Sequence, residues 1–339
     1  MTARRPHHRE RGFQNNHGDF EPKSLADVLR WRWNASRRHL PPRPQAPIPT
    51  QAADLAFLRA NTGAAQQPAV TWIGHATVLA QLGGLNLLTD PIFSERASPL
   101  SFIGPKREQP PGVALNDLPP IDVVVVSHNH YDHLDLPSCR TLSRQPGGGP
   151  LFVVPLGLQA WFQARGIAHV VELDWWQHHA LRGVEIALVP AQHWSARGLN
   201  DRMKTLWGGF AVFAPDCQLF FAGDTGYSRD FADIRERFAG RQQGSQGGGF
   251  DIALIPIGAY EPRWFMQSQH VNVEEALKIH ADLGAKASLG VHWGTFELTD
   301  EALDEPPRQL ARQCAALGLA DDAFFTLPIG GTRRLPRRA

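Results

Sequence analysis

Three histidines and an aspartate fall within six positions at Ser127-His128-Asn129-His130-Tyr131-Asp132-His133-Leu134-Asp135. Imidazole nitrogens and a carboxylate suit a borderline metal such as zinc, whereas oxygen-only sites suit magnesium or calcium. The cluster follows the apolar run Ile121-Asp122-Val123-Val124-Val125-Val126, bounded by Pro119-Pro120, which reads as a short buried strand. If extended backbone persists past its end, the two-residue side-chain period sends His128, His130 and Asp132 to one side. His133 then needs only the turn into the next helix to face a neighbouring point. A polar loop with accidental histidines is the bland alternative, and the strand-end context counts against it.

The pattern His-x-His-x-Asp-His resembles that of the metallo-β-lactamase-like hydrolases. Four side chains cannot close two metal centres, so the rest of a site is required elsewhere. Val184 to Val189 leads into Pro190-Ala191-Gln192-His193, Leu219 to Ala222 into Gly223-Asp224, and Ala287 to Val291 into His292. Each candidate ligand follows a strand-like run, which gathers them along one edge of a sheet sandwich. His75 and Asp90 also end strand-like runs. The expectation for both is a hydrogen bond to a ligand, with direct ligation by His75 as the alternative.

The remaining elements must hold that edge in place. Strands are expected at Val70 to Ile73, Ala76 to Gln81, Leu85 to Thr89, Leu151 to Val154 and Val170 to Leu173. Helices are expected over Leu156 to Arg165, Arg229 to Phe238, and from the Asn272 cap to Leu283, stopped by Gly284. A last one spans Asp300 to Ala316, interrupted near Pro306-Pro307. Ser24 and Asp27 make a capping box, after which Leu25, Val28, Leu29 and Trp33 form an apolar stripe among arginines. That stripe packs on the core or rests on a membrane surface; core packing is the commoner fate. The expected domain organisation is a basic, disordered 1–18, a helix and proline-rich connector over 19–68, and a catalytic domain over 69–335. A Gly-rich, flexible insertion is expected at 240–249. Lys106-Arg107 reads as a solvated charge pair, or as a border of the site.

Composition narrows the class. With 339 residues, 42 % hydrophobic and 20 % charged, the chain has ample core for a globular protein. A net charge of +1 and no basic stripe argue against a nucleic-acid partner. Three cysteines without close pairing point to a reducing, cytoplasmic setting. No apolar run approaches the roughly 18 residues of a membrane span, and Arg4-Arg5 lacks the apolar stretch of an export signal.

The resemblance then narrows to the N-acyl-phosphatidylethanolamine-hydrolysing phospholipase D family. It rests on Trp72-Ile73-Gly74-His75-Ala76-Thr77, Thr89 to Ser94, Asp174-Trp175-Trp176, Ala222 to Tyr227, Ile257 to Met266 and Val291 to Phe296. It implies a four-layer αβ/βα sandwich, class α/β, with two zinc ions and a phospholipid head-group phosphodiester as substrate. It assigns His128, His130 and His193 to one zinc and Asp132, His133 and His292 to the other, with Asp224 bridging. It places His270 near the metals, as the candidate to protonate the leaving alkoxide while a bridging hydroxide attacks phosphorus. Tyr131, Tyr260, Arg263 and Trp264 are candidates to line the substrate path, though core packing is as common a use of aromatic residues. Peripheral membrane contact is part of the same expectation. Ser101-Phe102 and the 240–249 insertion depart from the family pattern, and a lactonase on the same site or a non-catalytic scaffold are the rival readings.

Overall fold

A computed structural model describes residues 5–17, 20, 23–198, 200–241 and 249–338. Its first six strands are β1 (Ala69–Gly74), β2 (Thr77–Leu82), β3 (Leu85–Thr89), β4 (Val123–Val125), β5 (Leu151–Pro155) and β6 (Val170–Leu173). They form one sheet in sequence order. The next seven build the second sheet: β7 (His178–Leu181), β8 (Val184–Val189), β9 (Gly209–Phe213), β10 (Gln218–Phe221), β11 (Ile252–Pro256), β12 (Ser288–Val291) and β13 (Phe324–Phe325). The last, β14 (Thr332–Arg334), returns to pair antiparallel with β1.

Strand polarity explains why the candidate ligands meet. β1, β2 and β3 alternate, and β3 and β4 run parallel, so β1, β3 and β4 all end on one edge. In the second sheet β8, β9 and β10 alternate, and β10, β11 and β12 run parallel. β8, β10 and β12 therefore also end together. His75, Asp90, the His128 cluster, His193, Asp224 and His292 each follow one of these six ends.

Burial follows the two-residue period. In β4, Val123 and Val125 join the core between the sheets. Val124 turns outward into the layer beneath α3 (Leu136–Leu142) and α4 (Gln159–Gln163), with Val126 just past the strand doing the same. On the other side, α5 (Asp230–Phe238), α7 (Val273–Leu283) and α8 (Glu305–Leu317) bury Phe231, Ile234, Leu277, Ile279 and Leu310. Helix, sheet, sheet and helix give the expected four layers. The Asn272 cap and the Gly284 stop of α7 form as expected, with a full capping box to Glu275. Pro306 and Pro307 do not interrupt α8. They lie in its first turn, where a missing N–H costs no intrahelical bond.

Three expectations need correction. Residues 5–17 do not lack order but lie against the sandwich, with His7 and Asn15 buried. The Asp174 carboxylate accepts from His7 at 2.7 Å and His8 at 2.9 Å, and pairs with Arg5 at 3.0 Å. The capping box of α1 (Leu25–Arg38) is present, but of the expected stripe only Val28 joins its packed face. Trp31 and Ala35 pack on Phe265 and Met266 of α6 (Arg263–Met266), while Leu25, Leu29 and Trp33 stay 75 %, 62 % and 66 % exposed. Arg107 is no solvated charge. It is buried, donates to the carbonyls of Ile92 and Ser94, and lies over the Phe296 ring. Residues 242–248 of the Gly-rich insertion lie outside the described residues. Among the described residues no helix is long and apolar enough to cross a membrane.

Candidate metal centre

Past β4 the backbone turns sharply: the amides of His133 and Leu134 both donate to the His130 carbonyl. Asp135 then caps α3. This turn divides the motif into two donor sets. His128 Nε2 and His130 Nδ1 lie 2.8 Å apart, and His193 Nε2 is 3.3 Å from the same His130 nitrogen. In the other set, Asp132 Oδ2 is 3.4 Å from His133 Nε2 and 3.5 Å from His292 Nε2, and those two nitrogens are 3.2 Å apart. Asp224 lies between the sets. Its Oδ2 is 3.0 Å from His133 Nε2 and 3.9 Å from both His128 and His193, and its Oδ1 is 3.2 Å from His292.

Neighbouring hydrogen bonds aim the imidazoles. Asp90 Oδ2 takes the Nδ1–H of His133 at 2.6 Å and the hydroxyl of Ser127 at 2.6 Å. With its proton given to Asp90, the Ser127 oxygen can accept from His128 Nδ1, 2.9 Å away. His193 Nδ1 donates to the Gln269 carbonyl at 2.9 Å. In each neutral ring the outer nitrogen then carries the proton and Nε2 presents a lone pair inward. These inward nitrogens, with the Asp132 carboxylate oxygen beside them in the second set, gather within 4.8 Å of one another in each set, an arrangement that fits metal ions.

The electrostatics of the site fit this donor arrangement. Burial pushes the first-set histidines down, His130 to about 4, His193 to about 3 and His128 well below its ordinary value, with neighbouring histidines adding to the effect on His128. For His133 burial again acts downward, but Asp224 and Asp132 outweigh it and raise the ring well above the ordinary range. His292 rises to about 9 against its burial, through the same two carboxylates. Burial favours neutral acids at Asp224 and Asp132, yet the facing histidines hold both well below the usual range. Without metal, protons on His133 and His292 balance the carboxylates.

Local backbone is strained to achieve this. His75, Asp90 and His292 adopt left-handed φ of 54°, 32° and 62°, a conformation rare outside glycine and concentrated at functional sites. Gly223, at φ 62°, lets the Asp224 segment approach β4, since a Cβ there would lie 2.6 Å from that of Ser127. His75 contacts Asp132 Oδ2 at 3.1 Å and lies against the His292 ring, so it orients both.

The other expected residues separate. His270 is partly buried, with Nδ1 3.8 Å from Asp224 Oδ2 and no hydrogen-bond partner for that buried nitrogen among the described residues. Burial holds its ring at about 3, hence neutral. Tyr131 lines a cavity of about 460 Å³ with Trp161, Arg165 and Arg197, its ring 4.0 Å from the Arg197 guanidinium. Tyr260 is buried in the core and donates to Glu305, so it lines no path. Arg263 pairs with Glu275 at 2.7 Å and donates to the His270 carbonyl at 2.9 Å, so it braces His270. Trp264 is half-exposed beside Arg30 of α1. Sequence reasoning missed Ser127, legible as the residue before His128, and Glu301, whose buried carboxylate accepts the amides of Ala259, Tyr260 and Glu261. It also missed Asn15, which no periodicity marks.

Comparison with known proteins gives the family. Residues 85–293 match the beta-lactamase superfamily domain. The chain is 42 % identical over 271 residues to N-acyl-phosphatidylethanolamine-hydrolyzing phospholipase D 1 of Caenorhabditis elegans, covering 77 % of this chain and 74 % of that one. It is 35 % identical over 329 residues to the mitochondrial N-acyl-phosphatidylethanolamine-hydrolyzing phospholipase D of Saccharomyces cerevisiae, covering 92 % and 68 %. Isothiocyanate hydrolase from Delia radicum gut bacteria superposes with a TM-score of 0.62 at 19 % identity, over 79 % of this chain and 99 % of that one, a likeness of fold alone. This chain accordingly belongs to the β-lactamase superfamily, as a metal-dependent hydrolase of the metallo-β-lactamase fold related to these phospholipases D.

Proposed function

We propose that the protein is a dinuclear zinc phosphodiesterase that cleaves the head group of an N-acyl-phosphatidylethanolamine-type phospholipid, releasing phosphatidic acid. The observation that carries this reading is the carboxylate of Asp224 between two three-residue N/O donor sets. His128, His130 and His193 would hold one ion, Asp132, His133 and His292 the other, and Asp224 both. Bound there, two zinc ions would supply Lewis acidity and lower the pKa of water towards neutrality. The absence of cysteine from both donor sets keeps the site in nitrogen and oxygen ligation.

His270 faces the shared carboxylate with a neutral ring, so it cannot serve as a standing acid at neutral pH. It takes a proton from the attacking water and returns it to the ethanolamine oxygen as the bond from phosphorus to that oxygen breaks. Arg263 fixes the His270 backbone for this task. The cavity beside Tyr131 is lined by Arg96, Arg165 and Arg197 against Glu95 and Asp135, a positive excess that would attract an anionic lipid. The exposed Leu25, Leu29 and Trp33 of α1, interleaved with Arg30, Arg32 and Arg37, suit an anionic bilayer surface. Two relatives of the chain are named for hydrolysing such a lipid.

The test is turnover of metal-loaded protein on N-acyl-phosphatidylethanolamine in mixed micelles, beside a water-soluble phosphodiester and a lactone. Lipid cleavage to phosphatidic acid is expected to dominate. Diacylglycerol as product would place the cut on the wrong side of phosphorus, and brisk lactone hydrolysis without lipid turnover would favour a lactonase.

A further inference from the structure

We infer that Asn15 is a positioning residue for the metal centre, acting through the backbone of His193; the inference rests on reading that centre as metal-binding. β8 ends at Val189, whose ladder partner is Gly209, and the chain then leaves the sheet. Four residues on, His193 must still present its ring accurately. The amide of Asn15 takes the place of a strand neighbour. Its Nδ2 donates to the His193 carbonyl at 3.0 Å, and its Oδ1 accepts the His193 amide at 3.0 Å. The same oxygen accepts Trp207 Nε1 at 3.2 Å. Only one orientation of the amide satisfies this, because the reverse would set its NH2 against two N–H donors.

Asn15 is itself held from both sides. Before it, Asp174 gathers Arg5, His7 and His8, and the His7 ring lies on Trp175 with centroids 4.4 Å apart. The Arg5 guanidinium already occupies the Asp174 oxygen that faces His8, so this cluster is an anchor and not another cation site. Gly12 permits the close approach between, since a Cβ there would lie 2.1 Å from the Met203 carbonyl oxygen. After it, Asn16 donates to Asp230 at 3.0 Å and His17 lies 3.0 Å from Asp233.

The consequence reaches the donor atom. With its backbone clamped by Asn15 and its Nδ1 held by the Gln269 carbonyl, the His193 ring keeps Nε2 turned to His130 Nδ1 and Asp224 Oδ2. Releasing the backbone would leave that ring anchored at one point. Partners that orient a ligating histidine typically change metal affinity by about 10- to 100-fold when removed.

The experiment is chelator-competition titration of the full chain with zinc, with cobalt absorption spectra as a second readout. Asn15→Ala is expected to weaken the ion held by His128, His130 and His193 by about 10- to 100-fold and to shift the cobalt bands. Asn15→Asp keeps the acceptor for the His193 and Trp207 donors but cannot donate to the His193 carbonyl, and is expected to fall between. It also serves if the alanine variant fails to fold. In a His193→Ala background, Asn15→Ala is expected to add less than about twofold, because the ring through which it acts is gone. Wild-type affinity in both Asn15 variants, or fully additive losses in the double variant, would overturn the inference. A wild-type chain that binds no metal would sink the metal reading itself, a failure visible before any variant is compared.

Discussion

Asp90 joins the two donor sets through one carboxylate oxygen, and its replacement by asparagine tests how the ligands are aimed. Its Oδ2 receives His133 Nδ1 and the Ser127 hydroxyl, both at 2.6 Å, and through Ser127 it steadies His128. The Ser127 amide donates to Oδ1 at 2.7 Å. Asp90→Asn retains one acceptor oxygen but loses the charge and one of the two acceptor faces. Hydrogen bonds to a charged group contribute about 1.5–3 kcal/mol and neutral ones about 0.5–1.5 kcal/mol, so turning the His133 and Ser127 bonds into neutral ones costs about 1–1.5 kcal/mol each. That corresponds to about 5- to 10-fold in affinity for each ion, because each set loses one well-oriented ligand. Ser127→Ala removes only the His128 link and is expected to weaken the first ion alone, by about tenfold. Chelator-competition titration of the two variants separates these outcomes. Unchanged affinity in Asp90→Asn, or equal losses at both sites in Ser127→Ala, would refute the relay.

Metal binding is expected to release protons, because His133 and His292 carry them in the metal-free chain, His292 up to about pH 9. Affinity is therefore expected to rise with pH through neutrality towards about 9 and to weaken on acidification; calorimetry in buffers of different ionisation enthalpy reads the released protons directly. His270→Ala is expected to lower turnover by about 100-fold while leaving metal content intact, and loss of metal or normal turnover in that variant would contradict the proton-carrying role. Leu29→Ser and Trp33→Ser are each expected to weaken sedimentation with phosphatidylserine-containing vesicles by about tenfold, with hydrolysis of a soluble phosphodiester unchanged. Equal vesicle binding by wild type and both variants would leave α1 without a lipid role.

The candidate ligands were legible in the sequence because strand-end chemistry has a local mark, whereas their division into two sets came from the family resemblance. β-branched or apolar runs such as Val184–Val189 end in Pro190 and reach His193 within a few residues, and the same holds at Asp224 and His292. Strand polarity did the rest, since six ends with one direction converge without further instruction. Other features have no such mark. The packed face of α1 is Val28, Trp31 and Ala35, which in an apolar count do not stand out against Leu25, Leu29 and Trp33 on the other side. The 5–17 arm is pinned by polar groups on Asp174, Asp230 and Asp233, so its composition resembles that of a disordered tail. Short edge strands such as β13 and β14, of two and three residues, are too brief for periodicity to register. Tyr260 and Arg263 were candidates to line the substrate path; in the structure Glu305, Glu275 and the His270 carbonyl bind their polar groups.

The central claim is that Asp224 serves two metal ions at once. Elemental analysis of reconstituted protein, before and after Asp224→Ala, tests it most directly. The account predicts about two zinc ions per chain in the wild type and the loss of both from the variant, since the carboxylate lies within 3.9 Å of ligands in each set. One ion per wild-type chain, or a variant that still holds two, would contradict it.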